Sequence, residues 1–526
     1  MRSSCAVNVC DLRMRSENGG EMRGWWRRAF ASAAAAAAVL AGVAAPAQAE
    51  AGTLALAGPV AVGEQARFAY GTDEPDGTNW IGVYRGGEGP VDQEYTAPSL
   101  AWVYAPDAEG EATVDTSGLR AGDYTAYLLA EDGYAWLADP VDFTVTDDRP
   151  VSFPTDGITL RNARKGEAYE ASVGGLASGG GDGVTFRKTG GRAWVRVAED
   201  GTVTGTPNGN KDAEVEIEAT GADGSTATIT ATVPVRKKKQ DLVGELNVMS
   251  FNTWHAGTQV DGYHEKQLRY LIESDADIVG MQETEGEAAE RLAEALGWDH
   301  WQTSGSLGVI SRYPITEERG TVNASGSVKI ALDGTDSEVA VWDVHLGYTP
   351  YGPYDACDSG MGVDRILERE AESGRTPQIT DTVEAMQEDL AAADEDPVLL
   401  MGDFNSPSHL DWTEELREKN CGYADVPWPA STVPTDAGLT DSFREAHPDP
   451  AAVPGTTWSP LFPKRNGATG VDEPQDRIDF IYYAGPLAVE ESQTLVAGEP
   501  KVYPDHAGNE WTSDHASVMT TFSLGG

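Results

Sequence analysis

The chain has 526 residues, with 38 Lys and Arg against 85 Asp and Glu and a formal charge of −47. A chain of this length exceeds most single domains, so we expect two or three. An acidic surface argues against tight binding of nucleic acid or an anionic membrane through basic residues, and an anionic substrate would need local help, such as a metal ion. The proportions of 40% hydrophobic and 23% charged residues are those of a folded globular protein.

Residues 1–49 are typical of a secretory leader. Three arginines precede an uncharged apolar run over residues 29–45, and small residues lead to an expected cleavage point near Ala49. The run is too short and too rich in alanine for a membrane span, so we expect a secreted, extracellular protein without a transmembrane segment. Cleavage would leave 32 basic and 82 acidic residues, a formal charge of −50.

Two cysteines, Cys357 and Cys421, remain after cleavage of the leader. In an oxidising compartment an even pair predicts a disulfide, and two buried thiols are the alternative.

Residues 50–147 contain short β-rich runs separated by Gly, Pro, Asp and Asn, a pattern that favours an antiparallel β-sandwich. The Trp-Ile-Gly-Val-Tyr strand at residues 80–84 resembles that of small immunoglobulin-like modules found beside secreted phosphoesterases. The many aromatic residues of this stretch either fill its core or form a binding face for a sugar or a substrate. We favour the core, because large aromatic side chains dominate core burial.

Residues 148–236 repeat the β-rich pattern and resemble the immunoglobulin-like domains of bacterial surface and secreted proteins. A cell-surface or polymer ligand is the expected partner of the two sandwich modules. Residues 237–244 continue a basic run that begins at Arg236, which is either a phosphate-binding patch or a solvated linker. Its position between β-rich runs favours the linker.

Residues 245–526 change to a mixed α/β pattern that is long enough for a complete catalytic domain. Helical patterns occupy residues 264–273 and 285–296, and apolar strands recur on either side of them.

Several strands of this region end in, or contain, a carboxylate, an amide or an imidazole. These polar residues are Asn252, Glu283, His345, Asp403, Asn405, Asp479, Asp514 and His515. Strand ends in α/β sheets are places where polar groups converge without burying an uncompensated charge in the core. Taken singly, each is a weak signal, since turn formers and buried histidines are common.

In this order and combination, the polar segments resemble the endonuclease/exonuclease/phosphatase superfamily over nearly all of residues 245–524. The resemblance implies a four-layered α/β sandwich, in which two mixed sheets pack face to face with helices outside. It also implies hydrolysis of phosphoric esters with a divalent metal ion.

The resemblance assigns the metal site to Asn252, Glu283 and Asp514. Hard oxygen ligands without a thiolate suit Mg²⁺, with Mn²⁺ or Ca²⁺ as alternatives.

The same resemblance assigns the catalytic roles. Asp403 would orient or deprotonate the attacking water, and Asn405 would hold that water or a phosphoryl oxygen. Asp479 would fix the imidazole of His515, which then is cationic toward the phosphoryl oxygens or carries a proton.

His345 distinguishes branches of the superfamily. Pancreatic-type deoxyribonucleases, bacterial sphingomyelinases and inositol-polyphosphate 5-phosphatases also place a histidine here, whereas abasic-site endonucleases usually have a tyrosine in this region. We expect His345 to donate to a non-bridging oxygen or to the leaving group.

Residues 347–357 form a Tyr-, Pro- and Gly-rich insertion that we expect to be a loop facing the substrate. Tyr348 and Tyr351 would stack on a base, inositol or sugar, or pack the loop itself. A disulfide between Cys357 and Cys421 would clip this loop over the site. Residues 458–462 are a second candidate wall.

The leading hypothesis is a secreted phosphodiesterase that acts on nucleic acid. A phospholipid or an inositol phosphate is the alternative substrate, and a phosphomonoester is a further one. The alternative to an enzyme is a non-catalytic surface-binding protein. A nuclease should show a groove flanked by Arg and Lys, and a lipid enzyme an apolar rim. The basic candidates for such a groove are Lys266, Arg269, Arg312, Arg365, Arg369, Arg375, Lys464, Arg465 and Arg477.

Overall fold

A computed structural model describes residues 52–96, 99–116, 118–181, 183–332, 337–465 and 470–525. The predicted secretory leader, residues 1–49, lies outside the described residues. Within those ranges, no helix combines the length and apolarity that a membrane crossing requires.

The first β-rich region contains eight strands. They are β1 (Thr53–Leu56), β2 (Val60–Ala61), β3 (Ala66–Gly71), β4 (Trp80–Arg85), β5 (Ala101–Tyr104), β6 (Glu109–Val114), β7 (Gly122–Leu129) and β8 (Val141–Thr146). One sheet has the order β1-β3-β6 and the other β2-β8-β7-β4-β5. Residues from both sheets, among them Phe68 and Phe143, share one hydrophobic core.

The second β-rich region contains nine strands. They are β9 (Gly157–Thr159), β10 (Ala163–Arg164), β11 (Tyr169–Ser172), β12 (Val184–Gly191), β13 (Val195–Val197), β14 (Thr202–Gly205), β15 (Ala213–Gly221), β16 (Thr226–Val233) and β17 (Val235–Arg236). Sheets of four, three and two strands have the orders β12-β15-β16-β9, β11-β14-β13 and β10-β17.

Among the described residues, the remaining strands and all the α-helices follow residue 244. The strands are β18 (Glu245–Asn252), β19 (Ile278–Gln282), β20 (Asp299–Gln302), β21 (Gly308–Ser311), β22 (Ile315–Val322), β23 (Ser325–Ala331), β24 (Glu338–His345), β25 (Val398–Asp403), β26 (Thr440–Asp441), β27 (Asp479–Ala484), β28 (Leu487–Leu495) and β29 (Ser517–Leu524). The helices are α1 (Tyr263–Glu273), α2 (Ala288–Leu296), α3 (Gly352–Cys357), α4 (Val363–Glu372), α5 (Arg375–Ala385), α6 (Gln387–Ala392), α7 (Pro429–Asp436) and α8 (Ser442–Ala446).

These strands form two six-stranded mixed sheets, with the orders β20-β21-β19-β18-β29-β28 and β22-β23-β24-β25-β27-β26. The central strands β19 and β25 are buried at every position, because their sheets are covered on both sides there. Val248 and Phe522 of the first sheet share a core with Val341 and Ile481 of the second.

Helices cover the outer faces of the two sheets. Leu268 of α1 and Leu292 of α2 join Met249 of the first sheet in one apolar cluster. Ile379 of α5 and Leu400 of the second sheet belong to another. The cluster that contains α1 and α2 also contains the core of the second β-rich region, so this region and the α/β part share apolar packing.

The α/β fold after residue 244 and the β-rich regions before it agree with the sequence analysis. The helices predicted at residues 264–273 and 285–296 correspond to α1 and α2. The immunoglobulin-like topology, the four-layered description and the domain boundaries stay predictions. The insertion after His345 differs from the expected loop, because residues 352–357, 363–372 and 375–385 are helical.

Cys357 at the end of α3 forms a disulfide with Cys421, 64 residues further along the chain. The bond joins the helical insertion to the segment that follows β25.

Replacing both cysteines (Cys357→Ser with Cys421→Ser) should lower the free energy of unfolding by about 2–4 kcal/mol, because the bond limits the conformations of a long loop in the unfolded chain. The measurement is the thermal midpoint with and without dithiothreitol. Reductant should lower the midpoint of the unmodified protein and leave the double variant unchanged. An unmodified protein that is insensitive to reductant would contradict the prediction.

Candidate active site

The strand directions bring the predicted polar residues to one edge of the paired sheets. β18 and β19 are parallel, as are β24 and β25, so the residues at their carboxyl ends lie on the same side. β29 runs antiparallel to β18 and β27 antiparallel to β25, which adds the residues at their amino ends, with Asp479 opposite Asp403.

A cavity of about 660 Å³ opens at this edge. Of the predicted site residues, those that line it are Glu283, His345, Tyr348, Tyr351, Asp403, Asn405, Asp514 and His515. The other two lie directly behind the lining: Asn252 contacts Glu283, and Asp479 contacts His515. The structure therefore brings all the predicted catalytic and metal residues together.

Gly402 explains one part of the Gly-Asp-Phe-Asn segment. Its φ is +142°, and a Cβ there would lie 2.0 Å from the carbonyl oxygen of Val344 on the neighbouring strand. Only glycine lets β25 pair this closely with β24 just before Asp403.

His515 and Asp479 form a buried pair. The Nδ1 of the imidazole lies 2.9 Å from Oδ2 of Asp479, and its Nε2 lies 3.7 Å from Oδ2 of Asp403. Burial by itself would lower the pKa of His515, but the carboxylates of Asp479, Asp403 and Asp514 outweigh it and raise this pKa well above its usual range. The imidazole is thus held in its cationic form at the cavity wall.

His345 faces Asp403 from the other side. Its Nε2 lies 3.6 Å from Oδ2 of Asp403, and its Nδ1 lies 2.5 Å from Oγ of Ser306. The same Oγ accepts a hydrogen bond from the backbone N–H of Glu283 at 3.0 Å. Ser306 therefore fixes the histidine and the glutamate relative to each other.

The carboxylates of the site are crowded in a poorly solvated space. Burial raises the pKa of Asp514 to about 7, with further contributions from Glu283 and Asp403. Burial and Asp479 also raise the pKa of Asp403, although the two histidines oppose this. Burial acts to raise the pKa of Glu283 as well, but His345, His515 and His255 together bring it below its usual value.

This donor set fits a hard divalent cation. Oδ1 of Asp514 is buried without a hydrogen-bond partner, and the carboxylate of Glu283 is close enough to raise the pKa of Asp514. The site offers carboxylate oxygens and no thiolate, which is the chemistry that Mg²⁺ prefers. Glu283 and Asp514 would hold the ion.

Asn252 differs from a simple ligand. Its Nδ2 donates to Oε1 of Glu283 at 3.2 Å and to Oδ2 of Asp403 at 3.1 Å, and its Oδ1 accepts from the backbone N–H of Trp254 at 2.9 Å. It bridges the two carboxylates. Asp403, Asp479 and His515 form a second group whose donor atoms all lie within 4.8 Å of one another. Oδ1 of Asp479 is also buried without a hydrogen-bond partner. We favour Glu283 and Asp514, because both line the cavity, whereas Asp479 lies behind it with its Oδ2 against Nδ1 of His515.

The residues of this site lie within the part of the chain that matches a known family. The model of the Endonuclease/Exonuclease/phosphatase family matches residues 249–515. A curated protein of Caenorhabditis elegans, described as uncharacterized, is 31% identical over 293 residues, or 53% of this chain and 91% of that protein. The chain belongs to the Endonuclease/Exonuclease/phosphatase family.

Several solved structures are similar to about half of the chain. Truncated TDP2 of Caenorhabditis elegans is 16% identical with a TM-score of 0.33, covering 53% of this chain and 98% of that one. An endonuclease/exonuclease/phosphatase from Beutenbergia cavernae is 17% identical with a TM-score of 0.36, covering 54% and 72%. The 3′ phosphatase NExo from Neisseria, bound to a product DNA hairpin, is 17% identical with a TM-score of 0.35, covering 52% and 98%.

In this family member, several left-handed residues surround the site. Around the site, six non-glycine residues have φ between 50° and 58°: Trp254, His255, Ala256, Glu283, Glu285 and Asn405. Such conformations cost free energy and persist where the surrounding structure imposes them, as at active sites.

Sequence reasoning missed His255, Glu285 and Ser306. His255 donates from its backbone N–H to Oε2 of Glu283 at 3.1 Å, and its Nδ1 lies 2.8 Å from Oε1 of Glu285. The one available signal was position, since His255 and Glu285 closely follow the polar ends of β18 and β19.

The two predicted tyrosines have different environments. Tyr348 is 72% exposed at the mouth of the cavity, where it is available for stacking. Tyr351 is buried, and its hydroxyl donates to Oδ2 of Asp476 at 3.1 Å, so it supports the wall. The predicted wall at residues 458–462 is present, with the ring of Trp458 centred 4.9 Å from that of His515.

A buried ion pair holds the loop that carries both tyrosines. Arg375 donates to both oxygens of Glu370, at 2.8 and 2.5 Å, and to the carbonyl oxygens of Gly347 and Pro350. Oε2 of Glu370 also accepts from the hydroxyl of Ser406, one residue after Asn405. The pair fixes the loop relative to the end of β25.

Most basic candidates for a phosphate-binding groove pair with acidic residues. Arg312, Arg375 and Arg477 are buried against carboxylates. Arg269, Arg365, Arg369, Lys464 and Arg465 form ion pairs nearer the surface. Among the residues that the structure describes, none that lines the cavity is Lys or Arg.

Replacing Asp479 by Asn should lower kcat by roughly 10²- to 10⁴-fold while KM changes little, because the amide no longer holds His515 cationic and oriented. The measurement is steady-state hydrolysis of a small phosphodiester. Asp436→Asn, an exposed change on α7, is the matched control. A proportional loss in both variants, or a rise in KM alone, would contradict the assignment.

Proposed function

We propose that this protein is a secreted, divalent-metal-dependent hydrolase of phosphoric esters, and that a phosphodiester is its substrate. The observation that carries the proposal is the convergence of Glu283, Asp403 and Asp514 with two histidines in one cavity. Family membership supports phosphoester chemistry, and the leader predicted over residues 1–49 supports export.

Water attacks phosphorus in line with the ester oxygen that leaves, so that one P–O bond forms as another breaks. Asp403 lies between the two imidazoles and accepts the proton of the attacking water; the raised pKa of Asp403 suits a general base. Asn405 holds Asp403 through its backbone N–H, which donates to Oδ1 of Asp403 at 2.8 Å.

The two histidines act on the phosphoryl oxygens and the leaving group. Cationic His515 donates from Nε2 to a non-bridging oxygen, and Asp479 behind it keeps that proton in place. His345 donates from the opposite side and supplies a proton to the departing ester oxygen, which then leaves as an alcohol. When bound, a divalent cation at Glu283 and Asp514 polarises the phosphoryl group and offsets its negative charge.

The residue types in the cavity wall indicate which class of substrate the cavity can bind. Nucleic acid is the leading substrate from sequence, but the described lining provides no Lys or Arg to follow a polyanionic backbone. Aromatic rings extend from His515 through Trp458 and Phe462 to Tyr503, which is exposed. This wall favours the phospholipid of the second candidate, a phosphodiester that carries an apolar group.

Chelation should abolish hydrolysis, and added Mg²⁺ should restore it, because the crowded carboxylates require a cation. Glu283→Gln should raise the Mg²⁺ concentration at half-maximal rate at least as much as the roughly 10- to 100-fold typical of residues that support metal ligands. The measurement is a Mg²⁺ titration after EDTA and dialysis. Glu290→Gln, at an exposed position of α2, is the control and should titrate as the unmodified protein does. Full activity in EDTA would overturn the proposal.

A substrate panel separates the candidates. Plasmid DNA, RNA, sphingomyelin, inositol phosphates and a simple phosphodiester are compared with Mg²⁺, beside His515→Ala. We expect the compact or lipid phosphodiesters to be hydrolysed faster than DNA, and Trp458→Ala to slow the former by raising KM. Faster hydrolysis of plasmid DNA, unaffected by Trp458→Ala, would instead support the hypothesis of a nuclease. No His515-dependent hydrolysis of any member would leave only the surface-binding reading.

A further inference from the structure

Five aromatic rings form a connected chain on the first β-rich region. Tyr104 lies 5.1 Å from Trp102, Trp102 lies 6.5 Å from Trp80, and Trp80 lies 6.0 Å from Tyr134, between ring centroids. Tyr95 lies 5.5 Å from Tyr134 and ends the chain. We call these five residues the aromatic patch.

Much of the aromatic patch is outside the core. Trp102, Tyr104 and Tyr95 are 53%, 45% and 60% exposed, whereas Trp80 beneath them is buried. The expectation that aromatic residues of this region fill the core holds for Trp80, Tyr84 and Tyr127, but not for these three. β5 is the last strand of its sheet, and its alternation presents Trp102 and Tyr104 to solvent together. Clustered exposure of large rings indicates a binding surface.

The rings stand at steep angles to one another. The planes of Trp80 and Trp102 meet at 89°, those of Trp80 and Tyr134 at 79°, and those of Trp102 and Tyr104 at 81°. Ring faces therefore point in several directions around one patch. Each face carries the negative part of the aromatic quadrupole and attracts a cation placed over it.

The negative charge of the first β-rich region also favours a cationic ligand. Residues 52–147 contain seventeen acidic residues and three basic ones, Arg67, Arg85 and Arg120. Arg85 is engaged by Glu287 at 3.2 Å. Exposed carboxylates accompany the rings in sequence, since Glu94 precedes Tyr95, and Glu131 and Asp132 precede Tyr134. This field repels phosphates and anionic surfaces and draws in cations.

We propose that the aromatic patch is a binding site for a quaternary ammonium group of the trimethylammonium type. Such a cation has no N–H bonds, so it leaves no hydrogen-bond donor unsatisfied among rings that offer it few acceptors. A primary ammonium is compact and strongly hydrated, and it would lose more on leaving water. The combination of several ring faces and nearby carboxylates fits the quaternary group.

The aromatic patch begins close to the catalytic cavity. Ser99 and Leu100, just before β5, line a cavity of about 310 Å³ together with His255 and Glu285. Both of these residues also line the catalytic cavity. Trp102 follows Leu100 by two residues, about 7 Å along a strand. The aromatic patch therefore begins two residues along β5 from a cavity that shares His255 and Glu285 with the catalytic cavity.

The test is calorimetric titration of the purified protein with tetramethylammonium and with neopentyl alcohol, a neutral molecule of similar shape. We expect tetramethylammonium to bind and neopentyl alcohol to bind at least roughly fivefold more weakly, since the cation–π attraction needs the charge. Equal binding of the two, or no binding of either, would overturn the proposal.

Substitutions distinguish the effect of the aromatic rings on binding from the effect of apolar volume alone. Trp102→Leu should weaken tetramethylammonium binding by roughly five- to thirty-fold, and Trp102→Phe should weaken it less. Val453→Ala, which removes exposed apolar volume from the α/β part, should have no effect. Melting temperatures check folding, and Tyr95→Leu serves if Trp102→Leu does not fold. Unchanged binding in folded Trp102→Leu would refute the site.

Choline in solution and phosphatidylcholine vesicles distinguish the source of the group. Binding of both supports a site for a lipid headgroup, and binding of choline alone supports a site for a soluble ligand. Because these measurements need no metal and no hydrolysis, their outcome is independent of the proposed phosphodiesterase activity. Vesicle binding that persists in Trp102→Leu, with no choline binding, would contradict the proposal.

Discussion

The crowding of carboxylates at one edge of the sheets is the constraint on which the rest of the site depends. Glu283, Asp403, Asp479 and Asp514 lie in a space from which water is largely excluded, and burial together with mutual repulsion raises the pKa of Asp403 and Asp514. Two histidines offset part of this charge, and a divalent cation would offset more. The strongly acidic composition therefore does not exclude an anionic substrate, because the repulsion among the carboxylates is what a cation would relieve.

A second feature of the structure is that several arginines are buried in ion pairs inside the fold. Arg312, Arg375 and Arg477 each satisfy buried carboxylates, and Arg375 also fixes the backbone of the tyrosine loop through two carbonyl oxygens. Removing either member of such a pair leaves an uncompensated buried charge, which is strongly destabilising. In a chain with so few basic residues, these structural roles leave little positive charge for contact with a polyanion. The catalytic cavity is accordingly walled by aromatic rings.

Much of the candidate site was predictable because it depends on a local pattern. An apolar strand that ends in a polar residue is visible in sequence, and parallel pairing then brings Asn252 and Glu283 together, as it does His345 and Asp403. The contacts of His255 and Ser306 were not predictable, because they follow from left-handed turns and from pairing across the cavity. Which acid neutralises Arg375, and whether Trp102 faces the core or solvent, likewise depends on long-range packing. Helix α3 was hidden by the composition of residues 347–357, which are rich in Tyr, Pro and Gly.

The apolar cluster shared by α1, α2 and the second β-rich region has a consequence for how the protein can be divided. Gly175 packs so closely that a Cβ there would meet the carbonyl oxygen of Glu294, near the end of α2, at 2.5 Å. A fragment that began at β18 would uncover this side of both helices and expose Leu176's former neighbours, such as Leu296, to water. The α/β part is thus not an independent unit, and its combination with other domains would require a new apolar cover for these two helices.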